Sequence, residues 1–378
     1  MAVTTVQTNN KLVKYTQEIN REYVRGNLFS PYMGTALNSI IRVKSDLKNG
    51  GEEMNIPLVS RLTGAGVSTG TLVGNEEQVD NYGMRVRLDW ARNAVVTNKA
   101  ESQKDSADIF GEAKPLLSDW GKELQRDELI AALMALPSET LPSTGTRVNG
   151  IQYDLATAAQ RNTWNVANSD RILYGNSTAN YNAVHATALA NVDTTNDKLT
   201  AANLALLKRV AMGANPRLRP FKTADGYEYF VAFTGINPFR DLKASLETVN
   251  KDARPREQNG VDKNPLFQDG DQIYDGVIVR QVPEISSFVT NVWTTLKTAG
   301  AASARVEPVF LCGQQAAAFA WGQMARPTFR KEDDYGFVTG VGIEMAYGVS
   351  KMFKKHPSTG SNLVQWGCAT GFFASATD

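Results

Sequence analysis

Between residues 84 and 90 apolar and charged positions alternate strictly. Met84, Val86, Leu88 and Trp90 fall on one side of an extended chain, and Arg85, Arg87 and Asp89 on the other. A period of two is the signature of a strand with one apolar and one charged face. With MNIPLVSRL (54–62) before it, the pattern predicts two long strands joined by a long excursion, TGAGVSTGTLVGNEEQVDN (63–81). Gly64, Gly66, Gly70 and Gly74 make that excursion pliable. A two-stranded ribbon is marginally stable alone, so this one is expected to lie against another surface.

Over residues 104–136 the period changes. Ile109, Ala113, Leu116, Leu117, Trp120 and Leu124 recur at three- and four-residue steps, predicting a helix with one apolar face. Glu123 and Arg126 are expected opposite it as a solvated pair. At about 1.5 Å per residue the stretch would span about 50 Å, with Pro115 starting a second segment or kinking a continuous one.

Residues 137–197 turn to Ser, Thr, Asn, Gly and Ala and read as an insertion-like loop. Beyond them the text predicts an amphipathic helix over 199–212 closed by Gly213, and a buried strand over 227–233. A helix over 238–250, turns in NPLFQDGDQIYDG (264–276) and a strand in GVIVRQV (276–282) follow. A helical or irregular stretch leads to Ala304, then come a strand in VEPVFLCG (306–313) and an alanine-rich helix in QQAAAFAWGQ (314–323). Two last strands occupy GIEMAYGVSKMF and NLVQWGCATGFFAS, and residues 1–30 read as an extended or partly helical arm. Strands and helices mix without regular βαβ alternation or a fixed-period repeat, which argues an α+β fold.

Composition narrows the function. A chain of 378 residues and 41.3 kDa is long enough for two or three domains. Lys plus Arg number 40 against 39 Asp plus Glu, too balanced for a histone-like neutraliser of phosphate. Apolar residues at 42% and charged residues at 21% argue against wholesale disorder. No apolar run reaches the roughly 18 residues of a membrane span, and MAVTTVQTNNKLVKY lacks a signal-peptide core, so folding in the cytosol is expected. The sequon at Asn176 then carries no glycan. Cys312 and Cys368 stand far apart in apolar settings and read as buried free thiols, with no disulfide or zinc framework.

The residues that could carry chemistry do not converge. His185 and His356 lack metal-ligand spacing. In GAGVSTG (64–70) the third glycine comes one position late for a dinucleotide fingerprint. Asp269, Asp271 and Asp275 miss a calcium-loop ligand because Ile273 takes the fifth position. Glu332, Asp333 and Asp334, after Arg330 and Lys331, read as a solvated or interface charge patch. No Ser or Cys has the flanks of an activated nucleophile, so neither an enzyme nor a cofactor is expected.

Four stretches in order carry a family resemblance. They are LFSPYMGTALNSIIRVKSDLKNGGEEMNIPLVSRLTGAGVSTGTLVGNEE running into MRVRLDWARNAVV; ADIFGEAKPLLSDWGKELQRDEL; YEYFVAFTGINPFRDLKAS with NPLFQDGDQIYDGVIVRQVPEI; and VFLCGQQAAAFAWGQ with DDYGFVTGVGIEMAYGVSKMFKK. The chain resembles the major capsid proteins of tailed double-stranded DNA bacteriophages, the family typified by coliphage N-four. The resemblance implies the Hong Kong 97 capsid fold, with an N-terminal arm (1–47) and an extended hairpin loop (48–98). A peripheral domain (99–221) would carry the spine helix at 104–136 and the insertion at 137–197, followed by an axial domain (222–335) and C-terminal strands (336–378) returning to the peripheral domain.

It further implies pentamers and hexamers closing an icosahedral shell around a genome, assembled in the host cytoplasm. Portal, scaffolding or decoration proteins and nonspecific contact with packaged double-stranded DNA complete the implied partners; no membrane is among them. Within such a shell Met84, Val86, Leu88 and Trp90 are expected to cover a neighbour, while Arg61, Glu76, Glu77, Arg85 and Arg87 set register across the contact. Some relatives weld subunits through a hairpin lysine. Residues 51–98 contain none, so no covalent mesh is expected from this loop. An encapsulin-like nanocompartment shell is the alternative, and a hydrolase using residues 332–334 a distant third.

Overall fold

The computed structural model describes residues 26–45, 51–62, 64–104, 111–223, 226–253, 267–268, 271–330, 334–356 and 362–375. Most of the expected arm, Ile109, Asp269, Glu332 and Asp333 lie outside the described residues. Contacts divide the chain into two compact units. One is built around Ala91–Gln125 and Met324–Met345, and the other from Leu28–Trp90, Arg126–Gln323 and Ala346–Asp378.

Strands β1 (Met33–Gly34) and β2 (Ile41–Lys44) run parallel. The alternating text then forms an antiparallel ribbon of β3 (Glu53–Val59) and β4 (Asn81–Arg87), with Glu53 opposite Arg87 and Val59 opposite Asn81. The second strand does not continue straight. It breaks at Leu88, and β5 (Asp89–Asn98) joins another sheet.

Helix α1 (Lys99–Lys104) is short, and α2 (Ala113–Met134) is the long one. Pro115 lies in the first turn of α2, where a missing N–H leaves no bond unmade, so it opens a segment and does not kink one. The 22 residues span about 33 Å, shorter than the expected strut. Leu117 is buried while Leu116 is exposed. Arg126 also departs from expectation: it is buried and bridges Glu284 at 3.2 Å and Asp127 at 2.9 Å.

Residues 137–197 are not a loop. They form β6 (Val148–Asn149), α3 (Ala158–Ala167), β7 (Ile172–Tyr174) and α4 (His185–Ala190). Their polar side chains work internally. Thr157 and Gln160 close a capping box on α3, the buried Asn165 donates to the Asn182 carbonyl at 2.7 Å, and Asn168 donates to the Trp164 carbonyl at 2.9 Å.

Thr200 caps α5 (Ala201–Gly213), and β8 (Phe221–Lys222), β9 (Glu228–Thr234) and α6 (Ile236–Ala253) follow. The expected turns instead contain β10 (Phe267–Gln268) and β11 (Asp271–Tyr274), an antiparallel pair. Strand β12 (Val277–Gln281) runs parallel to β9, and α7 (Pro283–Asn291) leads to β13 (Arg305–Cys312).

The alanine-rich segment is a strand, β14 (Ala317–Phe329), not a helix. Ala317 to Ala320 are fully buried and pair in parallel with Ile41 to Lys44. Alanine's helix preference over other residues is worth only about 0.5 kcal/mol each. Here the small side chains of Ala318 and Ala320 give the ribbon room to pack against them.

The chain ends in β15 (Val338–Lys351), β16 (Phe353–Lys355), β17 (Leu363–Gln365) and β18 (Cys368–Ser375). One sheet has the order β1-β2-β14-β15-β5, with β6 on β15; the other has the order β10-β11-β12-β9-β13-β18-β7, with β8 on β9. Leu204 and Leu207 of α5 and Leu242 and Leu246 of α6 pack with Val277, Val309, Leu311 and Phe373 of the second sheet. Its strands thus come from both sides of the expected 222–335 segment: β7 precedes it, and β18 inserts between β13 and β7.

Candidate assembly surface

The ribbon has an anchored stem and an exposed end. In the stem, Met54, Ile56, Leu58, Met84 and Val86 are buried in one cluster with Leu88, Ala318, Ala320, Met352 and Phe353. This corrects the expected role of Met84, Val86 and Leu88. Their apolar row faces the chain's own β14 and β16, because the small alanines there leave a shelf that the row fills. Only Trp90, 51% exposed, remains outward.

The stem is tied down by polar contacts at its base. Arg87 donates to the Pro142 carbonyl at 3.1 Å and to Thr144 Oγ1 at 3.3 Å. Gly348 leaves room for the Arg87 carbonyl, which a Cβ there would meet at 2.1 Å. Arg147 donates to Glu128 at 2.8 Å and to the Trp90 carbonyl at 3.0 Å. A cavity of about 400 Å³ opens beside Trp90, lined by Glu52, Arg87, Asp89, Thr144 and Gln323.

Ser60 and Asp80 close the stem at its far end. The Ser60 N–H donates to the Asp80 carbonyl at 2.9 Å, and its hydroxyl donates to the carboxylate at 2.7 Å. Lys354 also donates to that carboxylate, and the two bonds hold the Asp80 carboxyl below its usual range. Beyond this clasp nearly every described residue of the excursion is exposed, including the apolar Leu62, Val67, Leu72, Val73 and Val79. Sequence reasoning missed these five because they follow no period. These five make the end of the ribbon a candidate contact surface.

The excursion's acids organise its own backbone. Glu76 accepts from the Gly74 N–H at 2.7 Å, and Glu77 from the Gly64 N–H at 2.7 Å. Arg85 stands 3.5 Å from Glu53, both largely exposed. Arg61 is exposed at a second cavity of about 430 Å³, shared with Arg217, Arg219, Asp80 and Trp366. Arg219 lies over the Trp366 ring at 5.9 Å. Of the nine expected contact residues, the fold therefore leaves Arg61, Glu76, Glu77, Arg85 and Trp90 at the surface.

Comparison with known proteins identifies the family. The profile of the family described as phage capsid protein matches residues 3–370. The chain belongs to that family. A capsid chain from cyanophage Pam1, solved as the capsid asymmetric unit, superposes with a TM-score of 0.86 at 36% identity, covering 100% of both chains. The capsid of Ralstonia phage GP4 gives 0.68 at 18% identity over 100% of this chain and 99% of that one. The head of Helicobacter pylori bacteriophage KHP40 gives 0.63 at 15% identity over 98% and 96%. No curated protein matches. This is a structural major capsid protein with a mixed α+β fold.

The capsid protein buries Glu307, which accepts from Asn237 and Ser286. Among the described residues no group of three or more His, Cys, Asp or Glu is placed to hold a metal. Its most buried histidine, His185, contacts Tyr153 at 2.9 Å and Tyr174 at 2.7 Å. Among the described residues no helix is long and apolar enough to cross a membrane.

Proposed function

We propose that copies of this protein assemble through pentamers and hexamers into an icosahedral shell of the Hong Kong 97 type around a double-stranded DNA genome. In this reading the chain is of the coliphage N-four kind, is not an enzyme, and assembles in the host cytoplasm before residing in the virion. Residues 1–47 act as the arm, 48–98 as the extended hairpin, 99–221 as the peripheral domain, 222–335 as the axial domain and 336–378 as the returning strands. Portal and scaffolding or decoration proteins complete the particle. Packaged DNA makes nonspecific, counterion-screened contact, in keeping with a formal charge of +1.

The observation that carries the assembly reading is the ribbon's divided character, a stem buried in its own chain and an end that leaves Leu62, Val67, Leu72, Val73 and Val79 exposed. Association buries that end on a neighbouring copy and gains roughly 25 cal/mol per Å² of apolar area removed from water. Arg61, Glu76, Glu77, Arg85 and Trp90 fix its register there, with charge setting orientation more than affinity. With no lysine in residues 51–98, that stretch of the hairpin supplies no lysine for a lysine–asparagine weld.

The test is a photo-crosslinking residue at position 73 in particles made from a mixture of light and heavy isotope-labelled chains. Crosslinks joining light to heavy chains are the expected product. Particles whose position-73 crosslinks all stay within one chain would remove the hairpin from the contact.

A further inference from the structure

Cys312 and Cys368, 56 positions apart in sequence, face each other directly across the β13–β18 pair. The register fixes how closely. The Gly313 N–H donates to the Gly367 carbonyl at 2.8 Å, so 313 and 367 form a hydrogen-bonded pair. In an antiparallel ladder the next pair inward is non-hydrogen-bonded, with Cα atoms about 4.5 Å apart and side chains at their closest. A disulfide needs Cα atoms about 4.4–6.8 Å apart. Both thiols are free and fully buried.

We propose that Cys312 and Cys368 form a latent intrachain cross-strand disulfide site, closed by a peroxide-class oxidant. The surroundings favour the step. Lys351, at the end of β15, is buried nearby, its Nζ 5.5 Å from the Trp164 ring, and burial brings its ammonium down to about 8. The hydrogen bond from Cys312 and the Lys351 charge hold the Cys368 thiol below its usual value, while burial pushes the Cys312 thiol well up. Cys368 is therefore the attacking sulfur and Cys312 the resolving one.

Cys368 gives up its proton and, as thiolate, attacks one oxygen of hydrogen peroxide, breaking the O–O bond. A sulfenic acid forms, and the departing hydroxide takes up that proton and leaves as water. The Cys312 sulfur then attacks the sulfenic sulfur, and its proton leaves with the hydroxyl as a second water. In sum two thiols lose two electrons to one peroxide, giving one disulfide and two waters. Because both sulfurs are shielded, the reaction proceeds through transient local opening. A shell protein made in a reducing cell and released into an oxidising medium meets both conditions. That last point rests on the capsid reading, whereas the thiol chemistry does not.

The test treats the purified full chain with hydrogen peroxide, quenches it, denatures it in N-ethylmaleimide without reductant, and measures intact mass. The expected product is 2 Da lighter than the untreated unlabelled chain and carries no maleimide, and reduction restores two labelling sites. The oxidised chain should also melt higher by on the order of 5 °C, an increase erased by dithiothreitol. Cys312→Ala should abolish the reductant-sensitive shift, and wild type with and without reductant gives the same answer if that variant misfolds. Two maleimides per chain after a treatment that fully oxidises the urea-unfolded protein would overturn the proposal. So would a sulfinic acid product, or a disulfide joining two chains.

Discussion

The Asn149 side chain pairs with the Arg87 backbone as a neighbouring strand would: its Oδ1 accepts from the Arg87 N–H at 2.9 Å, and its Nδ2 donates to the Arg87 carbonyl at 2.9 Å. Arg87 ends β4, where the ribbon's own ladder stops. The amide thus satisfies both main-chain groups at the point where the chain breaks toward β5. Asn149→Ala should lower stability by about 2–4 kcal/mol, since two shielded backbone groups lose their partners. Asn149→Asp, which keeps the acceptor and loses the donor, should fall between. Urea unfolding followed by tryptophan fluorescence checks both, and equal midpoints for Asn149→Ala and wild type would remove this anchor.

His185 should make stability depend on mildly acidic pH. The Asn165 Nδ2 is committed to the carbonyls of Asn182 and Ala183, so its Oδ1 takes the single Tyr174 hydroxyl proton at 2.8 Å. The Tyr174 oxygen then accepts from His185 Nδ1–H, and Nε2 accepts from Tyr153. In this neutral ring both nitrogens already have a hydrogen-bond partner. Burial, with the Arg161 charge adding to it, lowers its pKa to about 3. The unfolded chain takes up a proton near pH 6.5 and the folded one does not. The contribution is therefore complete above about pH 6.5 and is lost, at about 1.4 kcal/mol per pH unit, as pH falls toward 3. The lowered carboxyls of Asp80 and Asp170 lose their contributions only below about pH 4, so the interval from pH 6.5 to 4.5 isolates the histidine. Unfolding midpoints across that interval should slope in wild type and flatten in His185→Gln.

What could be read in advance follows from how local each signal is. The stem's alternation from Met54 to Leu58 and Met84 to Leu88 is complete within each strand, so its two faces were legible. Which surface the apolar face covers was not, because Ala318 and Phe353 reach it only through the fold. The alanines of β14 carry no strand preference, and their small size has meaning only beside Met54 and Met84. Residues 137–197 looked like a loop because Asn165, Asn168 and Thr157 are polar, yet those groups bind backbone inside the domain. Helical period put Arg126 opposite the apolar face but said nothing of Glu284, which covers it from α7. Arg61, Arg217 and Arg219 share a cavity that no sequence spacing announces.

Gly235 should not tolerate a methyl group. Glu307 is fully buried and accepts from Asn237 at 2.7 Å, Ser286 at 2.7 Å and Arg305 at 2.8 Å. Ser286 Oγ also accepts from the Ile236 N–H at 2.9 Å, so the network ties the starts of α6 and α7 to β13. A Cβ on Gly235 would stand 2.3 Å from Ser286 Oγ and 2.5 Å from the Glu307 carboxylate. Gly235→Ala should cost about 2–4 kcal/mol through overpacking and broken bonds around a buried charge. Thermal unfolding of the variant against wild type measures it, and a melting temperature within 1–2 °C of wild type would mean the network yields freely.

The exposed end of the ribbon should be separable from folding. Leu72 and Val73 are 63% and 77% exposed, and the turn that presents them is held by the Asn75 N–H on the Leu72 carbonyl and the Val73 N–H on Thr71 Oγ1. Neither apolar side chain is needed for those bonds, and neither touches the buried stem cluster. Changing both to serine should therefore shift unfolding by less than about 0.5 kcal/mol, as surface substitutions do. In the shell proposed above the same pair would lie at a contact repeated at every copy, so a small loss at each one would multiply over the particle. The double variant should fold normally by circular dichroism yet fail to sediment as particles under conditions where wild type does. Asn75→Ala, which removes the Nδ2 bond to the Thr71 carbonyl at 3.1 Å and keeps the apolar groups, should weaken assembly less. Particle yield equal to wild type from the double serine variant would mean that association depends on some other part of the surface, leaving the exposed apolar set without a purpose in the shell.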